Sequence, residues 1–101
     1  MSLEVDENKT YEYVWDEKKR QDNIKKHHLD FARADEVFQD PYGIIVFDGN
    51  TEEERYLFIG VLDEVIVTVV VYTEQEETKV RRIISFRKAT KEEREAYYGR
   101  R

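Results

Sequence analysis

The stretch Val80 to Tyr98, VRRIISFRKATKEEREAYY, is the part of this 101-residue sequence with an evident chemical character, that of a site for an anion. Arg81, Arg82, Arg87, Lys88, Lys91 and Arg94 are its basic groups. An arginine fork pairs two oxygens of a phosphate or carboxylate at once and never loses its charge at physiological pH. Tyr97, and Tyr72 upstream, carry hydroxyls that can donate or relay a proton, though an ordinary pKa near ~10 makes either a slow base at neutral pH. Packing with the hydroxyl at the rim is an equally good account of both rings. His27, with an ordinary pKa of ~6.5, is the best-tuned proton carrier. Its place at the end of a predicted helix also suits a protonated ring held by the helix dipole. Glu93 is a further proton carrier, yet Thr90-Lys91-Glu92-Glu93 fits a capping box, which already explains it.

The net charge of −6 argues against a polyanion ligand only when taken as an average. Residues 79–101 hold nine Lys and Arg against three Glu, a net of +6, whereas residues 1–78 carry −12. A local basic stripe, not the total, focuses an anionic ligand. The same charges also suit a plain solvated face, and composition alone leaves both readings open. With no cysteine, disulfides and thiolate metal sites are excluded, as suits a reducing cytosol. Adjacent His27 and His28, without a third ligand at helical spacing, do not make a zinc site, so no metal or cofactor is expected. The longest apolar run, Val65 to Tyr72, falls well short of the ~20 residues of a membrane helix.

The elements that must position these groups follow from periodicity. Residues 1–10 are polar, lack the pattern of a secretion signal, and are expected to be disordered or foreign to the domain. Residues 11–101 then form a single domain. Asp16 caps a helix predicted to run to about His28. Asp30 caps a second, whose stripe Phe31, Ala34, Val37 and Phe38 recurs at three- and four-residue spacing, and Asp40-Pro41 ends it. Four strands are predicted over Tyr42–Phe47, Arg55–Val61, Val65–Tyr72 and Lys79–Phe86, joined by Asp48-Gly49-Asn50, Asp63-Glu64 and the acidic 73–78 loop. Short connections make them an antiparallel meander. A closing helix starts after Thr90 and stops near Gly99. The predicted fold is α+β: two N-terminal helices, a four-stranded antiparallel sheet with helices on one face, and a C-terminal helix.

That order of elements resembles the RelE-like fold of compact bacterial ribonuclease toxins. Trp15-Asp16, Lys18, Asn23, Lys26-His27, Phe31, Ala34, Val37-Phe38 and Asp40-Pro41 narrow it, as do Arg55, Ile59-Gly60 and Val71-Tyr72-Thr73. The set continues with Arg82-Ile83-Ile84-Ser85, Arg87-Lys88-Ala89-Thr90, Glu93-Arg94 and Tyr97. Spaced in this order, over roughly residues 11–98, they are similar to the BrnT toxin family. The chain departs from that pattern at His28, where glycine is common, and at Phe86, where a small residue is usual. Its acidic runs at 52–54 and 74–77 are also heavier.

The resemblance implies a ribonuclease that arrests translation in the cytoplasm. It also implies a BrnA-type ribbon-helix-helix antitoxin that neutralises the enzyme, with operator DNA bound only by their complex. Metal-free RNA cleavage requires removal of the 2′-hydroxyl proton, neutralisation of phosphate charge and protonation of the leaving oxygen. On the family match Arg82, Arg87, His27, Glu93 and Tyr97 are the catalytic candidates. Arg81, Lys88, Tyr72 and Arg94 are the RNA-binding ones. Strand alternation places Arg82 and Arg87 on opposite faces. Either a bulge intervenes or Arg87 lies beyond the strand end, and the turn beginning at Lys88-Ala89-Thr90 favours the second. A non-catalytic module that holds RNA or a protein would use the same arginines and rings.

Overall fold

The computed structural model describes residues 10–49 and 52–99, so the expectation for the N-terminal segment lies, except for Thr10, outside the described residues. The first element is a strand, β1 (Glu12–Val14), followed by α1 (Glu17–His27). Asp16 caps α1 as its sequence position suggests, its carboxylate accepting the Lys19 amide at 3.1 Å. At the other end His28 is left-handed (φ 62°, ψ 28°), and its amide donates to the Ile24 carbonyl. A position that needs a left-handed residue is where glycine is favoured.

The predicted second helix is split. Asp30 accepts from the Ala32 amide at 2.9 Å, but the turn it starts is a 3-10 helix, Phe31–Arg33. This runs into the five-residue helix α2 (Ala34–Phe38). The Asp30 carboxylate also grips Arg20 of α1 through two bonds of 2.7 and 2.9 Å, fixing the angle between the segments.

Strands β2 (Ile44–Asp48), β3 (Arg55–Leu62), β4 (Ile66–Gln75) and β5 (Val80–Lys88) follow, and α3 (Lys91–Gly99) closes the chain. The β3–β4 reversal is tight, with positive φ at both Asp63 and Glu64. The sheet is five-stranded and mixed, in the order β1-β5-β4-β3-β2, with β1 parallel to β5 and the other pairs antiparallel. This corrects the expected four-stranded meander. Three residues of β1 are too few to show an alternating pattern, and their partner lies at the far end of the chain.

The helices do not share one face, which is a second correction. Cross-strand partners point the same way, so Phe58, Val70, Tyr72, Ile83 and Phe86 line one face. There they are buried with Leu29, Phe31, Ala34 and Val37 from the N-terminal segments. Gly60 allows α2 this close: a Cβ would stand 3.2 Å from the Val37 carbonyl oxygen. On the opposite face α3 lays Tyr97 over Ile59, Val67 and Val69, together with Ala89. The rest of that face, including Leu57, Val71, Thr73 and Ser85, is only half-buried. Asn23 ties α1 to β5: its amide nitrogen donates to Leu29 O (2.9 Å) and Phe86 O (2.8 Å), and its oxygen accepts Phe86 N at 3.2 Å.

Candidate active site

The alternation problem at Arg82 and Arg87 is resolved by a β-bulge. Val71 of β4 pairs with Ser85, but its neighbour Tyr72 pairs with Ile83, leaving Ile84 as the extra residue on β5. The bulge inverts the alternation. Arg87 (opposite Val69), Ser85 (opposite Val71) and Arg82 (opposite Thr73) therefore all lie on the half-open face. Arg87 is not beyond the strand end, since β5 runs on to Lys88. The partners of the two arginines are four residues apart on β4, about 13 Å at ~3.3 Å per residue. One phosphate cannot engage both.

At the α1 end of this face a cleft of about 420 Å³ is lined by Lys26, His27, His28, Arg87, Lys88 and Thr90. Its positive charge comes from two separated pieces of chain, the last turn of α1 and the end of β5, and Thr90 on the approach to α3 completes the lining. Burial and then the neighbouring Lys26, Arg87 and His28 depress the His27 pKa. The surroundings therefore favour a neutral ring that can take up a proton, against the raised value a helix dipole alone would give. Arg87 is held in place by Glu93 through two bonds, 2.8 Å and 3.0 Å. Glu93 also completes the capping box, accepting the Thr90 amide at 2.8 Å while its own amide donates to Thr90 Oγ1. The arginine, chiefly, holds the Glu93 carboxyl down at about 2. Such a carboxylate is a weak base, and its geometry is that of a clamp.

The sequence matches a family described as the ribonuclease toxin, BrnT, of type II toxin–antitoxin systems, over residues 15–93. This chain belongs to the BrnT family. A solved structure, that of the Brucella abortus ribonuclease toxin BrnT, shares 31% identity with it. That match covers 81% of this chain and 100% of the other, with a TM-score of 0.63. No curated protein matches. Among the described residues, no helix is long and apolar enough to cross a membrane.

In this BrnT-family chain the remaining candidates disperse. Arg82, on the same face as Arg87, bonds Glu53 of the β2–β3 connection. That bond pulls the Glu53 carboxyl below its ordinary value. Tyr97 is buried and donates to Asp40 Oδ2 at 2.5 Å, and Asp40 Oδ2 also accepts the Val61 amide. Tyr72 lies on the other face, 2% exposed, its hydroxyl pushed up to about 12 by burial. Arg81 shares that face, bonded to Glu74 at 2.8 Å and stacked between the Tyr11 and Phe38 rings. Arg94 donates to the Ala89 carbonyl and lines a separate hollow on α3 with Lys91, Glu95 and Tyr98. Of the nine candidates, His27, Arg87, Lys88 and Glu93 come together. Lys26, His28 and Thr90 join them, and the run Lys25-Lys26-His27-His28 was the visible signal for the first two.

Proposed function

We propose that this chain is the toxin of a type II toxin–antitoxin pair, a cytoplasmic, metal-independent endoribonuclease acting at the cleft between α1, β5 and α3. The observation that carries the reading is His27 and Arg87 lining one basic cleft although 60 positions separate them in sequence. Neutral His27 accepts the 2′-hydroxyl proton as that oxygen attacks the adjacent phosphorus. Arg87, aimed by Glu93, stabilises the charge that builds on the phosphoryl oxygens. The 5′-oxygen leaves with a proton from an ammonium group at the mouth, Lys26 or Lys88, and the upstream product retains a 2′,3′-cyclic phosphate. Arg82 then holds the backbone a step away from the scissile phosphate.

The partner we assign is a BrnA-type ribbon-helix-helix antitoxin, and only the toxin–antitoxin complex binds the shared operator. The family supports a dedicated antitoxin, and among the described residues no element has the form of a DNA-reading helix pair. Specific operator binding by the isolated chain would overturn that division of labour.

Cleavage of a defined single-stranded RNA tests the catalytic reading. Arg87→Ala and His27→Ala should each lower the rate by about a hundred- to a thousandfold, as loss of a transition-state contact does. Activity should persist in EDTA. Products bearing a 5′-phosphate, or activity that requires added magnesium, would refute the mechanism. RNA binding without cleavage would favour the non-catalytic module.

A further inference from the structure

Two arginines on the half-open face share one carboxylate. Glu53 Oε2 bonds Arg82 Nη2, while Glu53 Oε1 stands 3.8 Å from Arg55 Nε, outside hydrogen-bond reach. Arg55 Nε is buried and, among the described residues, has no hydrogen-bond partner. An orphaned buried donor is a standing cost that folded proteins normally avoid. Here the acceptor that could relieve it is about 1 Å too far away, held there by Arg82.

We propose that Glu53 is a positioning residue that toggles between Arg82 and Arg55, and so gates a backbone-phosphate subsite at Arg82. With no ligand, the carboxylate neutralises Arg82 and leaves Arg55 Nε unsatisfied. A phosphodiester that takes Arg82 displaces Glu53, which moves onto Arg55 Nε and satisfies it. The gain at Arg55 offsets the loss at Arg82, because an exposed ion pair contributes little and an orphaned buried donor costs more. Arg82 therefore opens at small net cost to a ligand that replaces its carboxylate with a phosphate. A ligand lacking a phosphate leaves the gate shut. This explains why an acidic run sits beside an arginine meant for RNA. It rests on the ribonuclease reading for the identity of the ligand, but the toggle itself is a property of the three side chains.

The test uses a single-stranded 2′-O-methyl RNA oligonucleotide, which lacks the attacking hydroxyl and stays intact. Binding is measured by fluorescence anisotropy at stepped salt. Glu53→Gln should tighten binding about two- to fivefold at low salt, the equivalent of an exposed ion pair removed from competition. Its log–log salt slope should match the parent's, since both bind the same phosphate at Arg82. The tightening should vanish in an Arg82→Ala background. Unchanged binding by Glu53→Gln, or equal tightening without Arg82, would overturn the gate.

A second readout needs no RNA. In Arg82→Ala, hydrogen exchange at Arg55 Nε–H, followed by ¹⁵N NMR, should slow as Glu53 transfers to it. The double variant Glu53→Ala/Arg82→Ala, which removes the acceptor at 53, should reverse the slowing and so exclude Asp48, opposite Arg55 on β2, as the acceptor. Unchanged exchange refutes the toggle even if RNA binds. Slowed exchange together with no RNA binding by any variant keeps the toggle and refutes the RNA ligand.

Discussion

At the scale of single residues, Arg87 and Glu93 stand out in the sequence as candidates with separate duties, which the structure joins in one pair. Glu93 was legible as a cap because a capping box is local, with four residues and two bonds. Its clamp on Arg87 was not, since nothing in one dimension says which way a strand's last arginine leans. The two substitutions should therefore diverge. Glu93→Ala removes a cap and strands a half-buried arginine, so about 1–2 kcal/mol of stability should go in urea melts. Arg87→Ala leaves the cap intact and should cost less stability but far more activity. Because Glu93 titrates at about 2 rather than the ordinary 4.5, the unfolded chain binds its proton at higher pH than the folded one. Its contribution to stability is full above pH ~4.5 and is lost as pH falls toward 2. Glu93→Gln should flatten that acid limb. His27 is depressed as well, so its base form persists to lower pH. The rising limb of kcat/KM should have its midpoint below ~6.5. Lys26→Ala should raise that midpoint only part of the way, since burial is the larger cause.

At the scale of elements, most of the architecture was legible because most of it is locally encoded. The caps at Asp16 and Asp30, the break at Asp40-Pro41 and the Asp63-Glu64 reversal are all patterns of a few adjacent residues. What escaped depends on distant pairing. β1 exists only because β5 offers it an edge. The bulge at Ile84 is invisible in a run that alternates cleanly on paper, yet it decides which arginines share a face. Asn23 is the same kind of case, a polar residue of α1 whose three bonds to Leu29 and Phe86 replace an apolar contact at the α1–β5 junction. Asn23→Ala would leave buried backbone groups of Phe86 and Leu29 without those partners, at about 1–3 kcal/mol for each group left unsatisfied. The melting temperature should fall by about 10 °C or more. Cleavage should fall with it, because α1 carries His27 into the cleft. A variant as stable as the parent would show that water replaces the side chain and that the junction does not depend on it.

At the scale of the whole molecule, the glutamate runs and the basic cleft sit at opposite ends of the sheet. The β2–β3 and β4–β5 connections, with Glu52, Glu53, Glu54, Glu76 and Glu77, share one end with Glu74 near the close of β4. Lys25, Lys26, His27, His28, Arg87 and Lys88 lie at the other. β5 joins the two ends through nine residues, about 26 Å at ~3.3 Å per step. The screening length is ~8 Å at physiological salt and ~30 Å at 0.01 M. In ordinary buffer the cleft therefore does not feel the acidic end, and the net charge of −6 says little about affinity for RNA. In dilute salt it does, and the acidic end opposes the approach of a polyanion. Changing Glu74, Glu76 and Glu77 to Gln together should speed association with a single-stranded RNA at 10 mM salt and leave it unchanged at 150 mM. Lys26→Ala with Lys88→Ala should instead weaken binding at both, and should reduce the magnitude of the log–log salt slope by about 1.4, two single-strand phosphate contacts. Stopped-flow association at the two salt concentrations separates these outcomes. If neutralising these glutamates accelerated binding equally at 150 mM, the β4–β5 loop would have to lie against the bound RNA, and the binding path would then run beyond Arg82 to the end of the sheet rather than stop at the Arg82 subsite.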